Sequence, residues 1–353
     1  MGASDLQKTL SLSLPRFWYN LIDMGGKTGV NIFVLISGYF LSEDRRELPS
    51  LKRLLKFWGQ VAFYSVAIML VFSAVSGNFS IGNAVNAVIP ILFERWWFAS
   101  TYFVLFLLHP FLNKLLNALS RDTYRLLIVI LIACWSIIPT ITTAPFQGGL
   151  LTWFVTLYCV AGYVKKHGNE SGKTAKYFFL GWGMFTALTY LSSAIITVLG
   201  VNSPQIALKF DYFYEKNSIL TFLSSLCLFV AFTKLKMKPK RWINIIASAT
   251  FGVYLIHDHP FVRNFLWNDV FCNASFANSA LLIPYSIFAV FTVFLVCAAI
   301  DLFRKVSVER IYMKTVDWLL NRVYQPIQSI RRKVSTLIFG DKTDFHCETE
   351  DNL

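Results

Sequence analysis

A chain of 353 residues that is 55% hydrophobic and 15% charged is not a water-soluble domain, since such domains carry roughly a quarter charged residues. Its mean hydropathy of +0.52 instead marks a polytopic membrane protein. The formal net charge of +13 raises nucleic acid as a partner, but the placement of the charges along the chain answers for a membrane.

Residues 1–23 hold no apolar core followed by a small-residue cleavage site, so they do not read as a secretory signal peptide. The first span, 24–41, contains the stretch Gly25 to Leu41, GGKTGVNIFVLISGYFL. At 100° per residue, Thr28, Asn31, Leu35, Gly38, Tyr39 and Ser42 fall on one face. A lipid-facing helix has no use for an amide and a hydroxyl stripe, whereas a helix lining a bundle or cavity does. Close helix packing by small residues accounts for the same pattern.

Eight further spans follow at 57–76, 97–116, 124–141, 149–165, 177–199, 217–234, 243–261 and 280–303, most near the ~20 residues a bilayer requires. Residues 84–93 are apolar but short and interrupted by Pro90, which reads as a re-entrant or interfacial piece. Loops 42–56, 114–125, 165–176 and 234–242 hold 17 Lys and Arg, against four in the alternate loops. By the positive-inside rule the first set is cytoplasmic. The expected architecture is therefore an all-α bundle of nine transmembrane helices, N-terminus outside and C-terminus cytoplasmic. It divides into a short segment at 1–23, a membrane domain at 24–303 and a basic amphipathic tail at 304–353. The tail suits an interfacial helix on an anionic leaflet, and membrane lipids are thus an expected partner while nucleic acid is not.

The six cysteines give no disulfide or zinc framework, and no P-loop or dinucleotide motif is present. A metal site is not expected: His257 and His259 point about 200° apart on a helix. The sequons at Asn78, Asn169 and Asn273 are isolated matches, and Asp211 and Glu215 are loop charges that solvate themselves or meet a polar glycan. Three places carry chemistry. Lys52-Arg53-Leu54-Leu55-Lys56 leads into the second span, and cations spaced on a helix suit a pyrophosphate; simple topology also explains a basic loop. Arg95-Trp96-Trp97 opens the third span, as an interfacial belt or as a sugar-stacking surface, with Phe98, Tyr102, His109 and Asn113 continuing on one face. Thr250, Tyr254 and His257 share a face of the eighth span, where an imidazole is either a satisfied interfacial group or a proton relay.

VNIFVLISGYFL resembles the signature helix of the acyltransferase 3 family, whose members carry strings such as "lFFvISGyll". Trp96-Trp97-Phe98 with Tyr102, Pro110 and Leu112 is similar to the family's "lWFl" and "y.l.P.l" elements, and GVYLIH at Gly252–His257 to "fgiYliH". The basic pair sits where the family has R-x-x-R, with Lys56 in place of the second Arg, which keeps the charge and loses bidentate geometry. The resemblance implies an integral-membrane O-acyltransferase that moves an acyl group, most often acetyl, from acyl-CoA to a hydroxyl of a surface polysaccharide, lipopolysaccharide or glycolipid. It implies Arg53 and Lys56 as donor-binding residues and acyl-CoA, in the first place acetyl-CoA, as co-substrate without a further cofactor. Substrate-binding candidates are Asn31, Ser37, Tyr39, Arg95, Trp96, Trp97, Tyr102 and Tyr254. The family has ten spans with both ends cytoplasmic and places the ISGYF helix second. Here that helix comes first, so the chain is expected to lack the family's first helix, with its basic residue and catalytic His. The catalytic base therefore stays unassigned, His257 being a candidate only. The implied location is a bacterial inner membrane. A truncated inactive relative and a glycan or lipid transporter are the alternatives.

Overall fold

The computed structural model describes residues 12–324, apart from 78, 169–171, 208, 277, 278 and 280. Residues 1–11, the sequons at Asn78 and Asn169, and the tail from 325 onward lie outside the described residues. Among those described, all regular structure is helical. A long helix lies on each expected span: α1 Leu14–Leu41, α2 Leu51–Ser76, α3 Trp97–Ala118, α4 Arg121–Thr142, α5 Leu150–His167, α6 Ala175–Leu199, α7 Ile219–Thr233, α8 Arg241–His257 and α9 Leu282–Arg304. A further helix, α10, covers Arg310–Leu319.

Five stretches are long and apolar enough to cross a membrane: Leu51–Ser76, Trp97–Ala118, Arg121–Thr142, Ala175–Asn202 and Leu282–Arg322. The remaining long helices carry more polar residues or are shorter, α7 having 15 residues and α8 having 17.

Helix boundaries follow local chemistry. The first helix starts at Leu14, ten residues before the expected span, with Pro15 in its first turn, where a missing N–H costs nothing. Residues 14–23, expected within a separate segment, are thus helical and packed. Asn20 donates to Thr197 on α6 at 3.2 Å and the Trp18 indole to Ser286 on α9 at 2.8 Å. The Ser50 hydroxyl caps α2 by accepting the Arg53 N–H, and Gly77 closes it at φ +68°, a conformation that favours glycine. The apolar piece at 84–93 forms a short helix, Ile81–Val88, followed by turns.

Two cores result. One gathers Val34 and Leu35 of α1, Leu105 of α3, Phe154, Leu157 and Tyr158 of α5, and Phe222 of α7. The other gathers Val61 and Tyr64 of α2, Ala99 of α3, Val253 and Leu255 of α8, and Ala289 and Val293 of α9. Helix α3 stands between them. Gly38 lets α1 approach α5 closely: a Cβ there would lie 3.1 Å from Ala161 Cβ and 3.2 Å from the Tyr158 backbone. Of the tail, expected on a leaflet, the described helix α10 docks on α2, with the Tyr312 ring against Gly59.

Candidate functional site

Polar groups collect at the two ends of α1. At its C-terminal end the chain folds back on α3. The Asn113 amide donates to the carbonyls of Leu41 and Asp44, each at 2.9 Å, and accepts from the Tyr158 hydroxyl at 2.6 Å. Asp44 receives three hydrogen bonds from Arg46, from its backbone N–H at 3.2 Å and its guanidinium at 2.9 and 2.6 Å, and its carboxylate lies 3.5 Å from Arg53 Nη1. Burial pushes the Asp44 carboxyl up, but the hydrogen bonds and charge of Arg46, with His109, outweigh it and hold it at about 2.

His109 is buried one turn above. Pro110 has no N–H to offer the Phe106 carbonyl four residues back, and His109 Nδ1 lies 2.5 Å from that oxygen instead. Nδ1 therefore donates its proton to that carbonyl, and Nε2 faces the Asp44 carboxylate at 3.5 Å.

The expected donor-binding residues lie at this end but already carry counter-charges. Arg53 faces Asp44, and Lys56 pairs with Glu309 at 2.9 Å. Lys52 pairs with Asp317 of α10 at 2.9 Å. Glu309 in turn accepts from buried Arg304 at 2.7 Å, and Arg304 donates to Asp301 at 2.9 Å. Asp301, wholly enclosed within α9, also accepts from Gln60 at 3.1 Å and Tyr64 at 2.8 Å. Gly252 makes room for it: a Cβ there would stand 2.1 Å from the Asp301 carboxyl carbon.

At the other end, Asn31 is a hub. It donates to the Lys216 carbonyl at 2.7 Å and accepts from the Trp153 indole at 2.9 Å. Lys216 Nζ stands 5.2 Å over the Trp97 ring. Lys27 and Glu215 pair at 3.1 Å. Burial raises the Glu215 carboxyl, but the charges of Lys27 and Lys216 outweigh it, leaving it low; burial and the Glu215 charge raise that of Asp211.

A π-turn at Ala133–Ile137 and Pro139 shape the neighbouring wall. Pro139 leaves the Trp135 carbonyl unclaimed, and the Asn217 amide donates to it at 3.0 Å. Two hollows open here, of about 190 and 350 Å³. Trp135, Trp153 and Lys216 line the first, Asp211, Tyr212 and Glu215 the second, and Pro145 and Asn217 line both.

The other expected substrate residues are spread along the bundle. Ser37 is a hydrogen-bond partner of Tyr102. The Phe98 ring stacks on Tyr102 at 6.0 Å and meets Tyr254 edge-on at 5.7 Å. Tyr39 lies at the basic end, under Lys165 Nζ at 4.3 Å. Trp96 is buried and meets His259 edge-on at 5.3 Å. Arg95 lies over Phe261 at 5.8 Å. Among the described residues, Arg95 Nη1, Trp96 Nε1 and His259 Nε2 are buried without a hydrogen-bond partner. His257 Nδ1 is 2.7 Å from the Val253 carbonyl on its own helix, so that nitrogen is engaged locally.

Asn31 and Trp97 therefore meet through Lys216, while Arg53 and Lys56 sit at the opposite end. Sequence reasoning missed Asp44, Trp135, Trp153 and Asn217. The prolines at 110 and 139 were the available signal, because each frees a carbonyl inside a span that some donor has to meet.

A bundle of apolar helices with polar clusters at both ends of one central helix defines an integral-membrane protein of the multi-pass class. The model of the acyltransferase domain family, acyltransferase 3, matches residues 1–302, and the chain belongs to that family. No curated protein and no solved structure matches it.

Proposed function

We propose that the chain is a membrane O-acyltransferase that takes an acetyl group from acetyl-CoA on the cytoplasmic side and delivers it to a hydroxyl of a surface polysaccharide or lipopolysaccharide. The bacterial inner membrane is the corresponding location. The observation that carries this reading, given the family, is the pairing of a basic cluster and an aromatic cluster at opposite ends of α1. Asn31 and Leu41 are ten residues apart, about 15 Å along a helix. That is within reach of the extended pantetheine arm of an acyl-CoA.

In this reading Arg53 and Lys56 hold the donor phosphates, and Lys56 contributes charge without a planar fork. The acceptor oxygen attacks the thioester carbonyl carbon, the C–S bond breaks, and the CoA sulfur leaves as thiolate and takes up the proton the hydroxyl loses. Asn31 and Trp97, joined through Lys216, frame the acceptor's side. Arg95, Trp96 and the central group of Ser37, Tyr102 and Tyr254 bound the route between. Tyr39 lies nearer the donor, and the base remains unassigned, since His257 has one nitrogen committed to Val253.

The test is transfer of radiolabel from acetyl-CoA by inside-out membrane vesicles. Label on polysaccharide is expected, with Arg53→Ala raising the KM for acetyl-CoA about tenfold, the loss of one charge-assisted phosphate contact. Vesicles rich in the protein that transfer no label to glycan, or an Arg53→Ala variant with unchanged KM, would count against it.

A further inference from the structure

The chemistry of the two joined hollows beside Trp135 fits a carbohydrate more closely than the residues expected from sequence. Trp96 and Asn31, two of those residues, are buried and cannot stack on or bond a sugar from the aqueous side. The hollows are open and share the wall residues Pro145 and Asn217, so they form one cleft with two compartments.

A pyranose has an apolar C–H face and a rim of hydroxyls that both donate and accept. The cleft offers a counterpart to each. Half-buried Trp135 supplies an indole face and an N–H with no partner among the described residues. Asn217 spends its amide N–H on the Trp135 carbonyl and keeps its oxygen free to accept. Lys209 and Asp211 line the second compartment with no ion-pair partner among the described residues. A site for an anion alone would present only donors, and a site for an acyl chain would present neither kind. The wall is held under strain: Thr143, Phe146 and Gln147, none of them glycine, have φ of 60°, 43° and 57°. Gly148 fits against the indole, where a Cβ would lie 2.7 Å from Trp135 Cδ1. Beneath the floor, Trp153 bonds Asn31, which ties the cleft to α1.

We infer that this cleft binds the acceptor glycan through two consecutive sugar residues, one over Trp135 beside Asn217 and the next against Asp211 and Lys209. The inference rests on the acyltransferase reading for its role as acceptor site, and on the cleft's own geometry for sugar binding.

The test is calorimetric titration of the detergent-purified chain with two- to six-sugar fragments released from the host cell's surface polysaccharide by mild acid. Trp135→Ala and Asn217→Ala should each weaken binding tenfold or more. Trp135→Phe should stay within about threefold of the unaltered protein, because stacking survives. Asp211→Ala should weaken the longer fragments and leave single sugars unchanged. The KM for acetyl-CoA should not move in any variant. If the unaltered protein binds the fragments and transfers label while Trp135→Ala and Asn217→Ala bind equally well, the cleft is not the subsite, although the acyltransferase reading stands. Should Trp135→Ala fail to fold, Trp135→Phe and Asp211→Ala decide: unchanged affinity for long fragments in Asp211→Ala overturns the two-sugar assignment. Fragment binding without any transfer keeps the cleft and removes the acyltransferase reading. No binding at all removes the cleft.

Discussion

Around Val34, Leu105 and Phe154 the buried polar groups that link one helix to another are neutral: Asn31, Asn113, Tyr158 and Ser225, with the part-buried Thr186–Ser224 pair at the margin. Around Val253, Val293 and Ala298 they are ionic: Asp301, Arg304 and Glu309, with Gln60 and Tyr64 in support. Neutral groups lose little on leaving water provided each finds a partner, whereas charges lose much more and must hold one another. The neutral half accordingly lies next to the cleft. The ionic half anchors α2, α8 and α9.

The largest effect should come from breaking the ionic half. Asp301→Ala leaves Arg304 buried beside Glu309 alone and should cost about 3–5 kcal/mol, read as a lower unfolding midpoint in detergent. Gly252→Ala attacks the same point sterically and should cost about 1–3 kcal/mol; a variant as stable as the parent would mean Asp301 is free to withdraw. In the neutral half, Asn31→Ala strands the Trp153 N–H and the Lys216 carbonyl and should cost about 2 kcal/mol. An equal loss for Asn31→Ala and Asp301→Ala would erase the contrast.

Asp44 gives a smaller, pH-dependent effect of about 1 kcal/mol after allowing for solvent screening. Its carboxyl is held below the usual range, at about 2. The stabilisation is therefore fully present above roughly pH 4–5, and fades as pH falls through the folded value. The stability gap between the parent and Asp44→Asn should stay flat from neutral pH to about 5 and close only in stronger acid. The smallest effect belongs to Asp317→Asn, which removes an exposed pair with Lys52. It should change stability by no more than about 0.5 kcal/mol and vanish in high salt.

Hydropathy located each long helix because apolar length is a local property. It misplaced the start of α1 because Arg16 and Asn20 read as loop residues, although both are buried by packing in the fold. The shared face of Thr28, Asn31 and Gly38 was legible from helical period alone, and Gly38 does meet Tyr158 and Ala161. What covers Asn31 was not, since its partners Trp153 and Lys216 lie 122 and 185 residues away. Arg53 and Lys56 were visible as charge, but their pairing with Asp44 and Glu309 depends on loop and tail returning to α2. Trp135 and Asn217 come together only through a π-turn and a proline, and no residue periodicity records such an event.

The carboxylate of Asp301 also constrains how the protein is made. Synthesis runs from the N-terminus, so Gln60, Tyr64 and Gly252 have left the ribosome before Asp301 emerges. When α9 enters the bilayer its receptors stand ready, and Arg304, three residues on along the same helix, travels with it as an internal counter-ion. Helix α9 thus carries a near-neutral pair into the bilayer, and seating Asp301 requires α2 and α8 to stand side by side.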